Sequence, residues 1–266
     1  MALNLGTNNT DRVVLAASTS LDTFNPGTLA LWVRPTTLTS TRLLCAKAGG
    51  LYRLNHNGTT GNLEWFMDRA GTDMQFITND TPLASTNVWY FVAVTVDTGG
   101  GAGNNANIYT GTLASAVAER AYGTATDGTG GINTNSLSWG IGNRGAGTQN
   151  LAFEGDIAWF GFWTAVLTLG QLREQQYRMR NTVNCQNFMH LGYNGVNAQI
   201  DYSGNKINGT VTGAVVSAHV PLSAPWGWDQ PQPPKNRLDN PRLLKLQPGF
   251  GRVVRAFHPG LVKARL

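Results

Sequence analysis

The chain has 266 residues, of which 41% are apolar and 13% charged, about half the charged share usual in soluble domains. Low charge with 32 Gly, 8 Trp and much Thr and Asn points to a β-rich domain with many turns and excludes a helical bundle. No apolar run approaches the roughly 18 residues a transmembrane helix needs. The net charge of +5 is unevenly placed. Residues 1–230 hold 12 Lys+Arg against 14 Asp+Glu, a net −2, and residues 231–266 hold 8 against 1, a net +7.

Taken in order, the chain reads as strands. Residues 29–33 stop at Arg34-Pro35, 42–47 stop at Gly49-Gly50, and 51–54 run to Asn57-Gly58, a hairpin-turn pair. Residues 63–67 and 74–77 follow. The near-continuous apolar run 89–97 predicts a central strand buried on both faces. Residues 107–110, 136–142 and 153–163 complete the series. Thr168 with Gln171 three residues on forms a capping box that opens one short helix to about residue 180. Short strands at this spacing predict an all-β, two-sheet antiparallel jelly-roll sandwich. Trp32, Val92, Val94, Ile157 and Phe160 are expected between the sheets. Residues 1–220 form the jelly roll, and residues 221–266 a Pro- and Trp-containing linker with a basic extended arm.

Four segments carry a resemblance. They are Asp11-Arg12-Val13-Val14 with Ser20-Leu21-Asp22, then Thr28-Leu29-Ala30-Leu31-Trp32-Val33-Arg34-Pro35. Trp89-Tyr90-Phe91-Val92-Ala93-Val94-Thr95-Val96-Asp97 is the third, and Phe153-Glu154-Gly155-Asp156-Ile157-Ala158-Trp159-Phe160 the fourth. In this order and spacing the chain resembles the laminin-G/pentraxin-like, concanavalin A-like jelly-roll module, of the kind found in tailed-phage structural proteins. The segments 200–205 and 208–211 are similar to the end of such modules. The resemblance implies glycan or protein binding, sometimes through Ca²⁺.

Candidate chemistry is sparse. Glycosidases of the related fold carry Glu-x-Asp-x-x-Glu on one strand. This chain has Glu154 and Asp156, with Trp159 at the acid position, so the pair is read as the solvent side of a strand and no catalytic residue is expected. Gly140-x-Gly142-x-x-Gly145 fits a dinucleotide pattern but leads to no helix, which makes it a glycine-rich turn. Asp68, Asp73, Asn79 and Asp80 flank the strand 74–77. Oxygen ligands there suit a hard cation such as Ca²⁺, and the same residues are ordinary turn formers. No other cofactor is expected. Trp65, Trp89, Trp139, Trp159 and Trp163 lie within strands and read as core. Cys45 and Cys185 read as two free thiols.

The C-terminal segment interleaves apolar residues with cations. Its expected partner contacts are Trp226, Trp228, Arg237, Arg242, Leu243, Leu244, Lys245, Arg252, Val253, Val254, Arg255 and Phe257. They would meet other copies of the chain and a shell or capsid-type protein, with nucleic acid as the rival reading of the charge. The sequence therefore predicts a non-enzymatic structural or decoration protein of a large assembly, a virion built in a host cytoplasm, with no secretory signal and no membrane. The alternative is a glycan-binding, lectin-like module.

Overall fold

A computed structural model describes residues 1–6, 8, 10–99, 103, 105–146 and 151–221. In chain order the strands are β1 (Ala2–Leu5), β2 (Arg12–Leu15), β3 (Gly27–Pro35), β4 (Arg42–Lys47), β5 (Tyr52–His56), β6 (Leu63–Met67), β7 (Met74–Thr78) and β8 (Tyr90–Val96). They continue as β9 (Ala106–Thr112), β10 (Ala118–Glu119), β11 (Tyr122–Thr126), β12 (Trp139–Ile141) and β13 (Gly155–Trp163). After helix α1 (Leu169–Arg178) come β14 (Cys185–His190), β15 (Gly209–Thr212) and β16 (Val215–Ser217).

All strand pairs are antiparallel, in two sheets. Sheet A has the order β10-β9-β8-β3-β13-β1-β16, with β14 also paired to β13. Sheet B has the order β11-β7-β6-β5-β4-β12-β2-β15. Along one side the chain passes from the edge of sheet A (β10) to the edge of sheet B (β11). Along the other it passes from β15 of sheet B to β16 of sheet A. This is the two-sheet jelly-roll sandwich expected from the strand spacing, with the expected short α-helix in place.

The core between the sheets follows from alternation, since every second side chain of a strand points the same way. Leu29, Leu31 and Val33 of β3 meet Tyr52, Leu54, Trp65 and Phe76 of sheet B. Phe24 is their aromatic hub, with ring centroids 5.1 Å from both Trp65 and Phe162. Each such side chain contributes roughly 1.5–3 kcal/mol when fully buried. Val92, Val94, Ile157 and Phe160 lie in this core as expected.

Trp32 does not. It belongs to a second cluster on the outer face of sheet A, with Phe91, Trp159, Trp163, Leu172 and Phe188. The run 89–97 is near-continuously apolar because β8 has this second core on its other face. The helix covers part of it. Its capping box is formed as predicted, Gln171 N–H donating to Thr168 Oγ1 at 3.3 Å and Thr168 N–H to Gln171 Oε1 at 2.8 Å. Trp32 Nε1 donates to the Gln176 carbonyl at 3.1 Å, and the Gln176 amide bonds the Thr112 and Ser115 carbonyls and the Val117 N–H. A turn of helix is thereby bolted to β3 and to the β9–β10 connection.

One turn differs from expectation. Asn57-Gly58 opens a longer loop, in which Asn57 Oδ1 accepts the Thr59 and Thr60 N–H groups and Asn57 N–H reaches Asn62. The register pairs His56 with Leu63, so no two-residue turn joins β5 to β6. Strands β10, β11 and β14 were also not anticipated, because short polar segments such as Tyr-Gly-Thr-Ala-Thr carry little apolar periodicity.

Candidate functional site

The outer face of sheet B is polar and built from alternate residues. Tyr52, Leu54, Leu63, Trp65, Met67, Met74 and Phe76 point inward, so Arg53, Asn55, Glu64, Phe66, Gln75 and Ile77 point outward. Register arranges them in two rows. Arg53 pairs with Phe66, Phe66 with Gln75 and Gln75 with Thr126. One step along, Asn55 pairs with Glu64, Glu64 with Ile77 and Ile77 with Thr124.

Glu64 is the centre. Its Oε1 accepts from Gln75 Nε2 at 2.8 Å and from Arg53 Nη2 at 3.3 Å, and its Oε2 accepts from Asn55 Nδ2 at 3.1 Å. The Arg53 guanidinium lies 3.8 Å from the Phe66 ring centroid, a cation–π contact that fixes its plane. Asn55 is 4% exposed and its Oδ1 has no hydrogen-bond partner among the described residues, while Arg53, Glu64, Phe66 and Gln75 are half-buried. Cross-bracing of this kind holds donors and acceptors in place before any ligand arrives, which lowers the ordering cost of binding.

A loop shapes one margin of this face. Gly140 of β12 faces outward, and a Cβ there would fall 2.5–2.6 Å from the backbone of residues 143–145. The chain therefore folds back onto the sheet and sets Arg144 beside Ala46, its bridge partner. The glycine-rich pattern at 140–145 serves this fold-back, as a turn and not a phosphate loop.

The other candidates are placed elsewhere. Asp156 is fully buried and paired with Arg34 and Asn4, while Glu154, half-buried, is paired with Arg42. The expectation of a solvent-facing pair is corrected: each carboxylate is an internal tie. Gly155 between them is required, because a Cβ would fall 2.2 Å from the Arg34 carbonyl oxygen. The four oxygen ligands proposed for Ca²⁺ are divided by β7, a strand of about 17 Å. Asp68 Oδ1 accepts the Asn133 amide and Asp73 Oδ1 the Arg69 N–H at one end, while Asp80 pairs with Arg120 at the other. Among the described residues no group of three or more His, Cys, Asp or Glu is placed to hold a metal ion. The five tryptophans read as core are at most 6% exposed, and Cys45 and Cys185 are free and buried. Burial pushes the Cys185 thiol up to about 12. The arm contacts expected at residues 226–257 lie outside the described residues.

The family model described as the concanavalin A-like lectin/glucanases superfamily, of laminin-G type, matches residues 7–173. The chain belongs to this superfamily. A solved structure of a candidate carbohydrate-binding protein from Bacteroides ovatus ATCC 8483 aligns with a TM-score of 0.60 at 17% identity, over 83% of this chain and 61% of that one. This chain thus spans less than two thirds of that relative, and the likeness establishes the fold. A pentraxin from Limulus polyphemus aligns at 15% identity over 65% of this chain and 80% of that one, TM-score 0.46. Mouse laminin alpha1 domains LG4-5 align at 14% over 64% and 43%, TM-score 0.43. Among curated proteins no sequence matches the chain.

Arg53, Asn55, Glu64, Phe66, Gln75 and Arg144 were not anticipated from sequence. The available signal was polar residues at alternate positions of three predicted strands; what was missing was the register that sets them side by side.

Proposed function

We propose that this chain is a non-catalytic saccharide-binding module and that its binding surface is the outer face of sheet B. The observation that carries the reading is the cross-braced cluster around Glu64 on that face. Saccharides are bound by fixed, planar polar groups beside an apolar or aromatic surface, and Arg53 stacked on Phe66, with Glu64, Asn55 and Gln75, is such a set. Membership of a superfamily that includes lectins supports it, as does the fold shared with the Bacteroides ovatus protein. Both favour this reading over a virion role. The carboxylates Glu154 and Asp156, each tied to an arginine, supply no acid–nucleophile pair.

The test is titration calorimetry of the full chain against an oligosaccharide panel, with Glu64→Gln, Arg53→Ala and, as reference, the exposed helix variant Arg173→Ala. Binding by wild type and Arg173→Ala, weakened at least tenfold by the two sheet variants, is the expected result. Equal binding by all four proteins places the site elsewhere.

For residues 221–266 the +7 charge of the final stretch supports a second reading, an arm that attaches the module to a larger assembly with an acidic surface. A chain ending at residue 221 that still joins its assembly rejects that reading.

A further inference from the structure

We propose that the saccharide held on the outer face of sheet B carries an anionic group, a carboxylate or a sulfate, and that Arg144 is its principal ligand with Arg53 as the second cation. This rests on the saccharide-binding reading above.

The two arginines reach one face by different routes. Arg53 is opposite Ala46 in the β4–β5 register. Arg144 bridges the same Ala46 from the folded-back loop. Their backbones are therefore about two strand spacings apart, roughly 10 Å, well within the reach of two arginine side chains. The Arg144 guanidinium extends over the β4–β5 connection, where a Cβ on Gly50 would meet its nitrogens and Cζ at 3.4–3.8 Å. Gly49 and Gly50 both have left-handed backbones, with φ of 81° and 80°, and the guanidinium lies within van der Waals reach of this turn.

Neither carboxylate near the two arginines pairs with Arg144. Glu64 answers Arg53, and its two oxygens are already engaged with Arg53, Gln75 and Asn55. Asp68, at the Gly50 end, accepts the Asn133 amide. Among the described residues Arg144 makes no ion pair, it is half-buried, and its Nε is buried without a hydrogen-bond partner. Arg144 is thus a half-buried guanidinium whose charge no carboxylate answers among the described residues, in a partly desolvated place on the same face as Arg53. A planar guanidinium satisfies a carboxylate or sulfate through two parallel N–H···O bonds. A neutral sugar offers nothing that requires a second arginine there.

The experiment uses the full chain and three matched probes. They are an oligogalacturonate, its fully methyl-esterified form, which keeps the sugar and removes the charge, and a sulfated galactan oligosaccharide, which carries sulfate and no carboxylate. Affinity at least tenfold tighter for an anionic probe than for the ester is expected, falling as salt is raised, and which anionic probe prevails separates carboxylate from sulfate. Arg144→Gln should abolish that preference, bringing the affinity for the anionic probes down to that for the ester, with Arg144→Lys retaining part of it. Circular dichroism and the melting temperature establish that the variants fold. Equal affinity for ester and acid, or a preference that survives Arg144→Gln, overturns the anionic ligand while leaving the saccharide reading in place. Binding to no saccharide in the wider panel overturns both.

Discussion

The outer faces of the two sheets are made by the same alternation and have opposite characters. On sheet A the outward residues of β3, β8 and β13 are Trp32, Phe91, Trp159 and their neighbours, roofed by α1. On sheet B the corresponding residues of β5, β6 and β7 are Arg53, Asn55, Glu64 and Gln75 around one Phe. One face is a second core and the other is a polar platform. If the proposed reading holds, stability and binding separate between the two faces: substitutions on the first should cost folding energy, and substitutions on the second should cost binding.

The largest effect is expected from Trp159→Ala. Trp159 is fully buried, with ring centroids 5.9 Å from Trp163 and 5.6 Å from Phe188. Its loss should destabilise by about 3–5 kcal/mol in urea unfolding and leave saccharide affinity unchanged. A loss of affinity without a loss of stability would reverse the assignment of the two faces.

Next is Gln176→Ala, which leaves the buried Val117 N–H without its acceptor and removes the amide donor to the Thr112 and Ser115 carbonyls. One unsatisfied buried N–H predicts a cost of about 1–3 kcal/mol, read as a lower denaturation midpoint. A change under 1 kcal/mol would mean water replaces the amide.

The third concerns acid. His190 is on the covered side of sheet A, edge-on to Phe188 and Tyr202 at 5.1 and 5.6 Å. Burial, with the neighbouring His219, pushes its pKa down to about 4, below the ordinary value near 6.5. The unfolded chain therefore takes up this proton first. The stabilising contribution is intact above about pH 6.5 and is lost as pH falls toward 4, by on the order of 2–3 kcal/mol. His190→Gln should flatten that limb of the stability–pH curve relative to wild type; an unchanged limb would show that other groups govern it.

The smallest stability effect is expected from Glu64→Gln. Its bonds are partly solvent-screened, with the Arg53 side chain 31% exposed, so unfolding should shift by under about 1 kcal/mol while saccharide binding falls at least tenfold. A large stability loss would turn the cluster into a structural brace and remove the contrast between the faces.

Much of this protein was legible in its sequence. The strand spacing, the apolar run at 89–97, the Thr168–Gln171 box and the glycine-rich turn all follow from local rules, because period, capping and turn chemistry act over a few residues. The buried tryptophans followed from the strands that contain them. Tertiary structure decided what depends on register and on which face is covered. Trp32 and Phe160 look alike in a strand, yet one lies under the helix and the other between the sheets. Glu154 and Asp156 took arginine partners from strands more than 100 residues earlier. Arg53, Glu64 and Gln75 became one cluster only through the pairing of three strands, and Arg144 joined their face only because Gly140 leaves space for the chain to fold back. Side-chain alternation is a property of one strand; the meeting of side chains is a property of the sheet, and no short stretch of sequence encodes it.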